Sequence, residues 1–459
     1  MDDSRNTADP GSASPTRILI LGGGFGGVFT ARELERVLGS DPTVEITLIS
    51  RENFFLFTPM LHEVAASDVD ITHIVNPIRK IVRHTNLFVG EVERIDLEKR
   101  RVVASHGLSR HPHEFQYDHL VIGLGSVTSF HGIPDLEEHA LQMKSLADAI
   151  VLRNRLIENL EEADADCAVD RRTTALTLVV AGGGFAGVET VAAASDFLRD
   201  SLGAYPHLRE QDLHVVLVHD GAVILPELDE ALGRYAQKKL SDYKVEVRTG
   251  VRVSGVSRTG VRLDDGTDIP TNTLVWTAGA AANPLIQTLP CKLERGRVVA
   301  NEYLEVPDWP NLWALGDCAM IRNPRTGDLY PPTAQHAMRE GRVLARNIVA
   351  SLRGGEKQPF VFTTIGTLAS LGRRTGVARI FGTNFSGFPA WLLWRAIYLA
   401  KLPRFEKKLR VALDWLLDVV FSKDLVQFRA DIGPRAALSD DEPTPAERDP
   451  ESASSNKAP

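Results

Sequence analysis

Cysteine is scarce: Cys167, Cys291 and Cys318 are the whole complement of a 459-residue chain. No two lie close in sequence, so there is neither a Cys-x-x-Cys redox pair nor the ligand spacing of a zinc site, and no metal site is expected. No cysteine precedes position 167. Long apolar runs are missing as well; none approaches the roughly 20 residues a membrane-crossing helix needs. Positive charge is not in excess. A net charge of −8 would repel phosphate backbones and argues against a nucleic-acid partner. The start of the chain has Asp2, Asp3 and Asp9 among Ser, Gly and Pro, unlike a basic, apolar signal peptide or an acid-poor transit peptide. Residues 1–16 therefore read as a disordered tail on a chain that stays in the cytoplasm. No EF-hand loop is present.

What is there is an alternation of strand and helix signals, the pattern of an α/β fold with parallel sheets. The length suits two to three domains. A short apolar run, Arg17 to Leu21, stops at Gly22-Gly23-Gly24; a helical pattern follows from Phe25 to Leu38, then a strand from Val44 to Ile49. The same grammar returns downstream with Leu176 to Val180, Gly182-Gly183-Gly184, Phe185 to Leu198 and Leu213 to Val218. Between these units Asn86 to Val103 alternates like a strand pair, and Leu120 to Ile122 reads as a buried strand. From Trp309 to Met338 the chain is expected to return to the first domain. Phe360 to Phe428 is Gly- and aromatic-rich, then helical, and the tail from Asp431 reads as disordered.

Gly22-x-Gly24-x-x-Gly27 and Gly182-x-Gly184-x-x-Gly187 each follow a strand and open a helix, the context a dinucleotide fingerprint requires. The first glycine allows the turn, the second admits a pyrophosphate to the backbone, and the third lets helix and strand pack closely. The helix N-terminus then offers N–H groups and a positive dipole end to phosphate. The alternative, two glycine-rich turns in an ordinary doubly wound protein, must explain both matches in context. The ribose-binding acid expected after each second strand is irregular. The first strand runs into Ser50-Arg51-Glu52; the second ends Val218-His219-Asp220. With no arginine at that point, NADH is expected rather than NADPH.

Several further segments occur in order: Asn53 to Val64 (NFFLFTPMLHEV), Tyr117 to Ser126 (YDHLVIGLGS), Thr273 to Gly279 (TLVWTAG), Asn311 to Ala319 (NLWALGDCA) and Pro332 to Ala337 (PTAQHA). Together they resemble the type II (alternative) NADH:quinone dehydrogenases of the two-dinucleotide-binding flavoprotein superfamily, over about Arg17 to Phe428. The resemblance implies an α/β fold in which an FAD domain (17–140 and 293–350) carries an inserted NAD domain (141–292). A C-terminal helical membrane-associating segment (351–430) and a tail (431–459) would follow. It implies FAD held by Gly22, Gly24, Phe25, Gly26, Gly27 and Arg51, by Thr58, Pro59 and Leu61, by Gly125 and Asp317, and by Ala334 and Gln335. It implies NADH held by Gly182, Gly184, Phe185, Gly187, Glu189 and Asp220, with Ala278 and Gly279 bordering the pocket. Glu189, Gln335 and His336 are the implied catalytic residues, with His62 a further proton donor and Arg374 facing the quinone. Two positions depart from the family's pattern: Arg339 stands where a second glutamine is usual, and Ser50 replaces the ribose acid.

Gly366 to Arg410 carries nine cations and one acid, Glu406, in an otherwise acidic chain. Interleaved are Phe385, Phe388, Trp391, Trp394 and Tyr398. Basic residues among Trp and Tyr suit a helix lying in an anionic membrane interface, and a following helix would place Leu409, Leu413, Leu416 and Val420 on one face. The pattern suits a dimer interface or a packed helix pair equally well; the resemblance favours peripheral attachment through 385–428 on the cytoplasmic face of the cell membrane. The expected partners are a quinone, a membrane surface and a second copy of the chain. Two other functions stay in view. A sulfide:quinone oxidoreductase needs two cysteines that meet over the flavin. An NADH-binding flavoprotein with a protein acceptor or a sensing role would use the basic segment as a partner surface.

Overall fold

A computed structural model of the chain describes residues 14–165 and 168–428; Cys167 and nearly all of the expected tails lie outside the described residues. Two five-stranded parallel sheets organise it. The first has the order Leu312–Ala314, His119–Ile122, Thr16–Leu21, Val44–Ser50, Asn86–Val89. The second has the order Ala140–Gln142, Thr273–Trp276, Thr177–Ala181, His214–His219, Val245–Thr249. In each sheet the strand feeding a glycine fingerprint is central. Ile18 to Leu21 in the first and all of Thr177–Ala181 in the second are buried, as parallel strands covered on both faces must be. The segment around Trp309 does return to the first sheet, as its edge strand Leu312–Ala314.

The run from Asn86 to Val103 does contain a strand pair, Glu91–Asp96 with the strand that starts at Arg101, and it also carries a third strand ahead of them. Asn86–Val89 pairs parallel with Val44–Ser50, while Glu91–Asp96 belongs to an antiparallel three-stranded sheet with Arg101–His106 and His111–Gln116. One alternating run thus serves two sheets. Gly90 divides it: its N–H donates to the Ser50 carbonyl at 2.9 Å, and a Cβ there would stand 2.4 Å from the Ser105 carbonyl oxygen.

The first fingerprint helix, Phe25–Leu38, packs on the long helix Ala334–Arg353. Gly341 makes the crossing close, since a Cβ there would stand 2.7 Å from the Gly26 carbonyl oxygen.

The Gly-rich stretch after that helix folds as a three-stranded antiparallel sheet, Gly366–Ser370, Gly376–Ile380 and Thr383–Gly387, before two C-terminal helices, Phe388–Lys401 and Phe405–Leu417. The second of these is docked by the face that carries Lys407, Val411, Asp414 and Trp415. Lys407 donates to the Thr72 carbonyl at 2.6 Å, Asp414 Oδ2 lies 2.5 Å from His73 Nδ1, and Trp415 Nε1 reaches Glu63 at 3.1 Å. Phe405, Leu409, Leu413, Leu416 and Val420 consequently form one exposed outer stripe. No helix among the described residues is long and apolar enough to cross a membrane.

Candidate active site

The two fingerprints build the same cradle. Gly22 and Gly182 adopt φ values of +105° and +116°, a left-handed conformation that disfavours any side chain. Cβ atoms at Gly27 and Gly187 would lie 1.9 and 1.8 Å from the carbonyl oxygens of Gly22 and Gly182, so helix and turn touch through bare backbone. The middle glycines differ. A Cβ at Gly24 would meet nothing within 4 Å, and one at Gly184 only the Glu227 carboxylate at 3.6 Å. Among the described residues no side chain caps either helix. The first-turn N–H groups, which have no partner within their own helix, therefore face open space shaped for a phosphate.

At the end of Val44–Ser50, Ser50 is buried under the turn and donates to the Glu52 carbonyl at 2.7 Å; Arg51 is exposed beside Glu52 at 3.5 Å. At the end of His214–His219, the Gly183 N–H donates to His219 Nδ1 (3.3 Å), and Nε2 lies 3.2 Å from the Val223 carbonyl. Those two contacts fit one neutral tautomer. Asp220 is exposed and 3.5 Å from Arg252 Nε. Here the expectation that no arginine stands at the ribose end is corrected: Arg252 arrives from more than thirty residues downstream, where spacing along one strand gave no sign of it.

Around the first cradle, Gly125 has φ +69° and open space at its Cβ position. Ser126 donates to Asp317 Oδ2 at 2.7 Å and receives the Lys144 ammonium at 2.7 Å. Burial lowers the pKa of Lys144, opposed by Asp317. Neither Ser126 nor Lys144 was singled out from sequence. Next to Asp317, the buried Glu340 carboxylate accepts the Gly316 N–H at 2.8 Å, and burial pushes it up to about 7. Cys318 is fully buried, its Sγ set 3.4 Å from the Leu315 carbonyl oxygen and 3.6 Å from that of Ile122. Burial pushes that thiol up to about 12.

Thr58–Met60 forms a single 3-10 turn with Pro59 at its start, running into Leu61–Ala65. Phe57, just before it, packs against Phe25 of the first cradle (5.9 Å between ring centres) and Tyr398 of the C-terminal helix (6.1 Å). Gln335 Nε2 donates to the Gly366 carbonyl at 3.1 Å, tying Ala334–Arg353 to the C-terminal sheet. Arg339 is anchored to its own helix through the Gln335 carbonyl (2.9 Å) and stacks over Phe362 at 4.2 Å. His336 is buried against Tyr330 and Phe362, with Nδ1 2.8 Å from Thr333 Oγ1; burial holds it at about 4, a neutral imidazole. Arg374 is exposed. Ala278 and Gly279 lie at the end of Thr273–Trp276, where a Cβ at Gly182 would approach the Ala278 nitrogen to 2.8 Å. Phe185 is half-buried on the core.

Glu189 lies in the second fingerprint helix, Phe185–Ser201, and is buried. Its Oε1 accepts the Ser370 N–H (3.0 Å) and the Trp394 indole N–H (2.9 Å), both from the C-terminal segment. Its Oε2 is 3.8 Å from His62 Nδ1. Burial raises Glu189 to about 8 and drops His62 to about 3, so at neutral pH the carboxyl holds a proton and the imidazole does not. Glu63, beside His62, is a second buried carboxyl. It accepts the Trp415 indole N–H at 3.1 and 3.2 Å, and burial lifts it to about 8. Nothing in the spacing of a single Glu within LHEVA distinguishes it from a solvated helix residue.

Two Rossmann-type units, each with a vacant-Cβ glycine at the mouth of its helix, define a two-dinucleotide oxidoreductase. The chain belongs to the pyridine nucleotide-disulphide oxidoreductase family, whose model matches residues 16–341, and its residues 365–424 match the NDH2 C-terminal domain. It is 33% identical over 415 residues to the type II NADH:quinone oxidoreductase Ndh of Mycobacterium tuberculosis, covering 87% of each chain. In fold it is similar to the NDH2 of Plasmodium falciparum solved in complex with NADH, with a TM-score of 0.83 at 19% identity, covering 90% of this chain and 99% of that one. The sulfide:quinone oxidoreductase of Aquifex aeolicus is a more distant likeness, with a TM-score of 0.66 at 17% identity over 88% of this chain and 95% of that one.

Proposed function

We propose that this chain is a type II NADH:quinone dehydrogenase, oxidising NADH and reducing a membrane quinone by two electrons without pumping protons. The observation that carries the reading is the pair of glycine cradles, open at Gly24 and Gly184, in a chain whose relatives are named for that activity. FAD, when bound, supplies the redox chemistry: it accepts a hydride from NADH and gives two electrons to the quinone. Residues 17–140 and 293–350 would hold it. Gly22, Gly24, Phe25, Gly26 and Gly27 would bind its pyrophosphate, with Arg51 toward its adenosine end and Gly125 and Asp317 toward its ribityl chain. Thr58, Pro59, Leu61, Ala334 and Gln335 would flank the ring. Residues 141–292 hold NADH through Gly182, Gly184, Phe185, Gly187 and Asp220, with Ala278 and Gly279 on the nicotinamide side.

Glu189 is suited to hold a proton where the two units and the C-terminal segment meet, because burial keeps it protonated at neutral pH. His336, neutral and hydrogen-bonded to Thr333, is better placed to orient the aromatic wall beside the ring than to donate protons. The sulfide alternative is disfavoured by Cys318, whose buried thiol has no thiolate character at neutral pH.

The outer stripe of Phe405, Leu409, Leu413, Leu416 and Val420, with exposed Phe388 and Leu392 on the preceding helix, supports peripheral attachment to a membrane through residues 385–428. The surplus of cations over Gly366 to Arg410 favours an anionic surface, as on the cytoplasmic face. A homodimer is the other arrangement that would cover this stripe.

The deciding experiment mixes the flavin-loaded protein with NADH without oxygen, then adds a short-chain quinone. Bleaching of the flavin followed by rapid return of its oxidised spectrum supports the reading. Bleaching by sulfide and not by NADH would transfer the chemistry to the cysteines. Bleaching by NADH with no response to quinone would point to a protein acceptor.

A further inference from the structure

Three segments distant in sequence meet at one side chain, the Ser126 hydroxyl. Ser126 opens the short strand Ser126–Thr128, which pairs with Ala280–Ala282. Its Oγ donates to Asp317 Oδ2 at 2.7 Å and accepts from Lys144 Nζ at 2.7 Å. Lys144 stands just ahead of the helix Leu146–Asp164, where the chain has left Ala140–Gln142, the edge strand of the second sheet. Its backbone is fixed there. Lys144 N and Ser145 N both donate to Asp148 Oδ2, at 3.0 and 2.7 Å, and Asp148 N donates back to Ser145 Oγ at 3.1 Å. The ammonium therefore belongs to the second unit, while the carboxylate at the end of the chain of bonds lies in the first.

The polarity of these bonds follows from the groups that make them. An ammonium only donates, and a hydroxyl has a single proton to give. Ser126 accepts from Lys144, so its own proton is committed to Asp317 Oδ2. Asp317 Oδ1 has no hydrogen-bond partner among the described residues. A carboxylate oxygen accepts, so what it lacks is a donor. The neighbouring Gly316 N–H is already given to Glu340, and Gly125, next to Ser126, has nothing within 4 Å of its Cβ position. A phosphate brought into that space would be repelled by the carboxylate; a hydroxyl would complete it.

A cation placed only to neutralise Asp317 would sit directly against it. Lys144 makes no ion pair among the described residues, although burial disfavours its charge and Asp317 is the carboxylate that opposes this. The hydroxyl is interposed instead, and that arrangement fixes which oxygen of Asp317 stays free. Resting on the reading of the first cradle as the flavin site, we propose that Lys144 is a positioning residue for FAD. Presented by the second unit, it acts through Ser126 to keep Asp317 Oδ1 open as the acceptor for a ribityl hydroxyl. Retention of the flavin by the first unit then depends on a side chain of the other.

The test is the dissociation constant for FAD, read by serial dilution of the flavin-loaded full chain and the rise in free-flavin fluorescence. Melting curves of each variant report folding separately. Lys144→Met is expected to raise the Kd at least tenfold. Ser126→Ala interrupts the same chain of bonds and should match that loss within threefold. The double variant Ser126→Ala/Lys144→Met should bind no more weakly than the worse of the two single ones, because both remove one coupled interaction. Lys144→Arg, which keeps a donor-only cation, should bind FAD more tightly than Lys144→Met. Ser126→Ala, the smaller change, carries the test if Lys144→Met does not fold. FAD affinity within twofold of the parent in either single variant that folds, or losses that add in the double variant, would overturn the proposal. If the parent protein itself takes up no FAD, it is the flavin reading that fails.

Discussion

The Trp394 indole donates to Glu189 Oε1 at 2.9 Å, so a residue of the C-terminal segment reaches into the second fingerprint helix and holds its buried carboxyl. Glu189, Glu63 and Glu340 all bind their protons more tightly in the folded chain, because burial raises them to about 8, 8 and 7 from 4.5. Groups raised in this way stabilise the fold fully below the unfolded value, and the contribution is lost as pH rises through the folded one. Thermal stability should therefore fall between about pH 5 and 9. Glu189→Gln, which cannot ionise, should reduce that fall by roughly 2–4 °C in Tm. An unchanged slope in a pH series of melting curves would mean that Glu189 is already ionised in the folded protein.

The glycine cradles separate packing from binding. Gly27→Ala places a Cβ 1.9 Å from the Gly22 carbonyl oxygen and should destabilise the fold outright. Gly24→Ala meets nothing within 4 Å, so the protein should fold while flavin retention drops at least tenfold. Gly184→Ala should keep its flavin and raise the KM for NADH about tenfold, since the obstruction falls on the other cradle. Flavin content and steady-state kinetics on the three variants read these effects. Equal flavin loss from Gly24→Ala and Gly184→Ala would reverse the assignment of the two units.

Local grammar makes much of this architecture legible in the sequence. The strand–glycine–helix units, the return of the chain at Leu312–Ala314 and the Asp317 turn are all written in short contiguous segments, where a few backbone constraints dictate residue type. The features that escaped are those made by convergence of distant segments. Arg252 reaches Asp220, Lys144 reaches Ser126, and Trp415 reaches Glu63 only once the sheets and C-terminal helices are packed. The Gly366–Gly387 sheet was also hidden, because three five-residue strands joined by tight glycine turns show too little alternation to be read. The sequence marks the helix Phe405–Leu417 as amphipathic, but periodicity alone does not say which face is turned inward. Contacts from Lys407, Asp414 and Trp415 settle that.

The exposure of that outer stripe makes the membrane reading testable without damaging the core. Leu413 and Leu416 are 48% and 62% exposed, so Leu413→Glu and Leu416→Glu should leave melting temperature and flavin content unchanged. If the stripe enters a bilayer interface, each removes about 2 kcal/mol of apolar burial and should weaken cosedimentation with anionic vesicles by about 30-fold. Turnover with a water-soluble quinone should persist, while turnover with a lipid-embedded one falls. Unchanged vesicle binding together with loss of a dimer in sedimentation velocity would assign the stripe to a second copy of the chain.

The pairing of Asp220 with Arg252 places both signs of charge where an adenosine ribose would end the second cradle. As built, the carboxylate repels a 2′-phosphate and engages the Arg252 guanidinium, which favours NADH. Both side chains are largely exposed, so breaking the pair should change stability little. Asp220→Asn would remove the repulsion and free the guanidinium for a phosphate. The expected result is a rise of about tenfold in kcat/KM for NADPH relative to NADH, about 1.4 kcal/mol of discrimination. Adding Arg252→Ala to that variant should cancel the gain, because the phosphate would again have no cation. If Asp220→Asn alone leaves the coenzyme ratio where it was, the ribose end of the site lies away from this pair, and the preference must be set by the His219 turn instead.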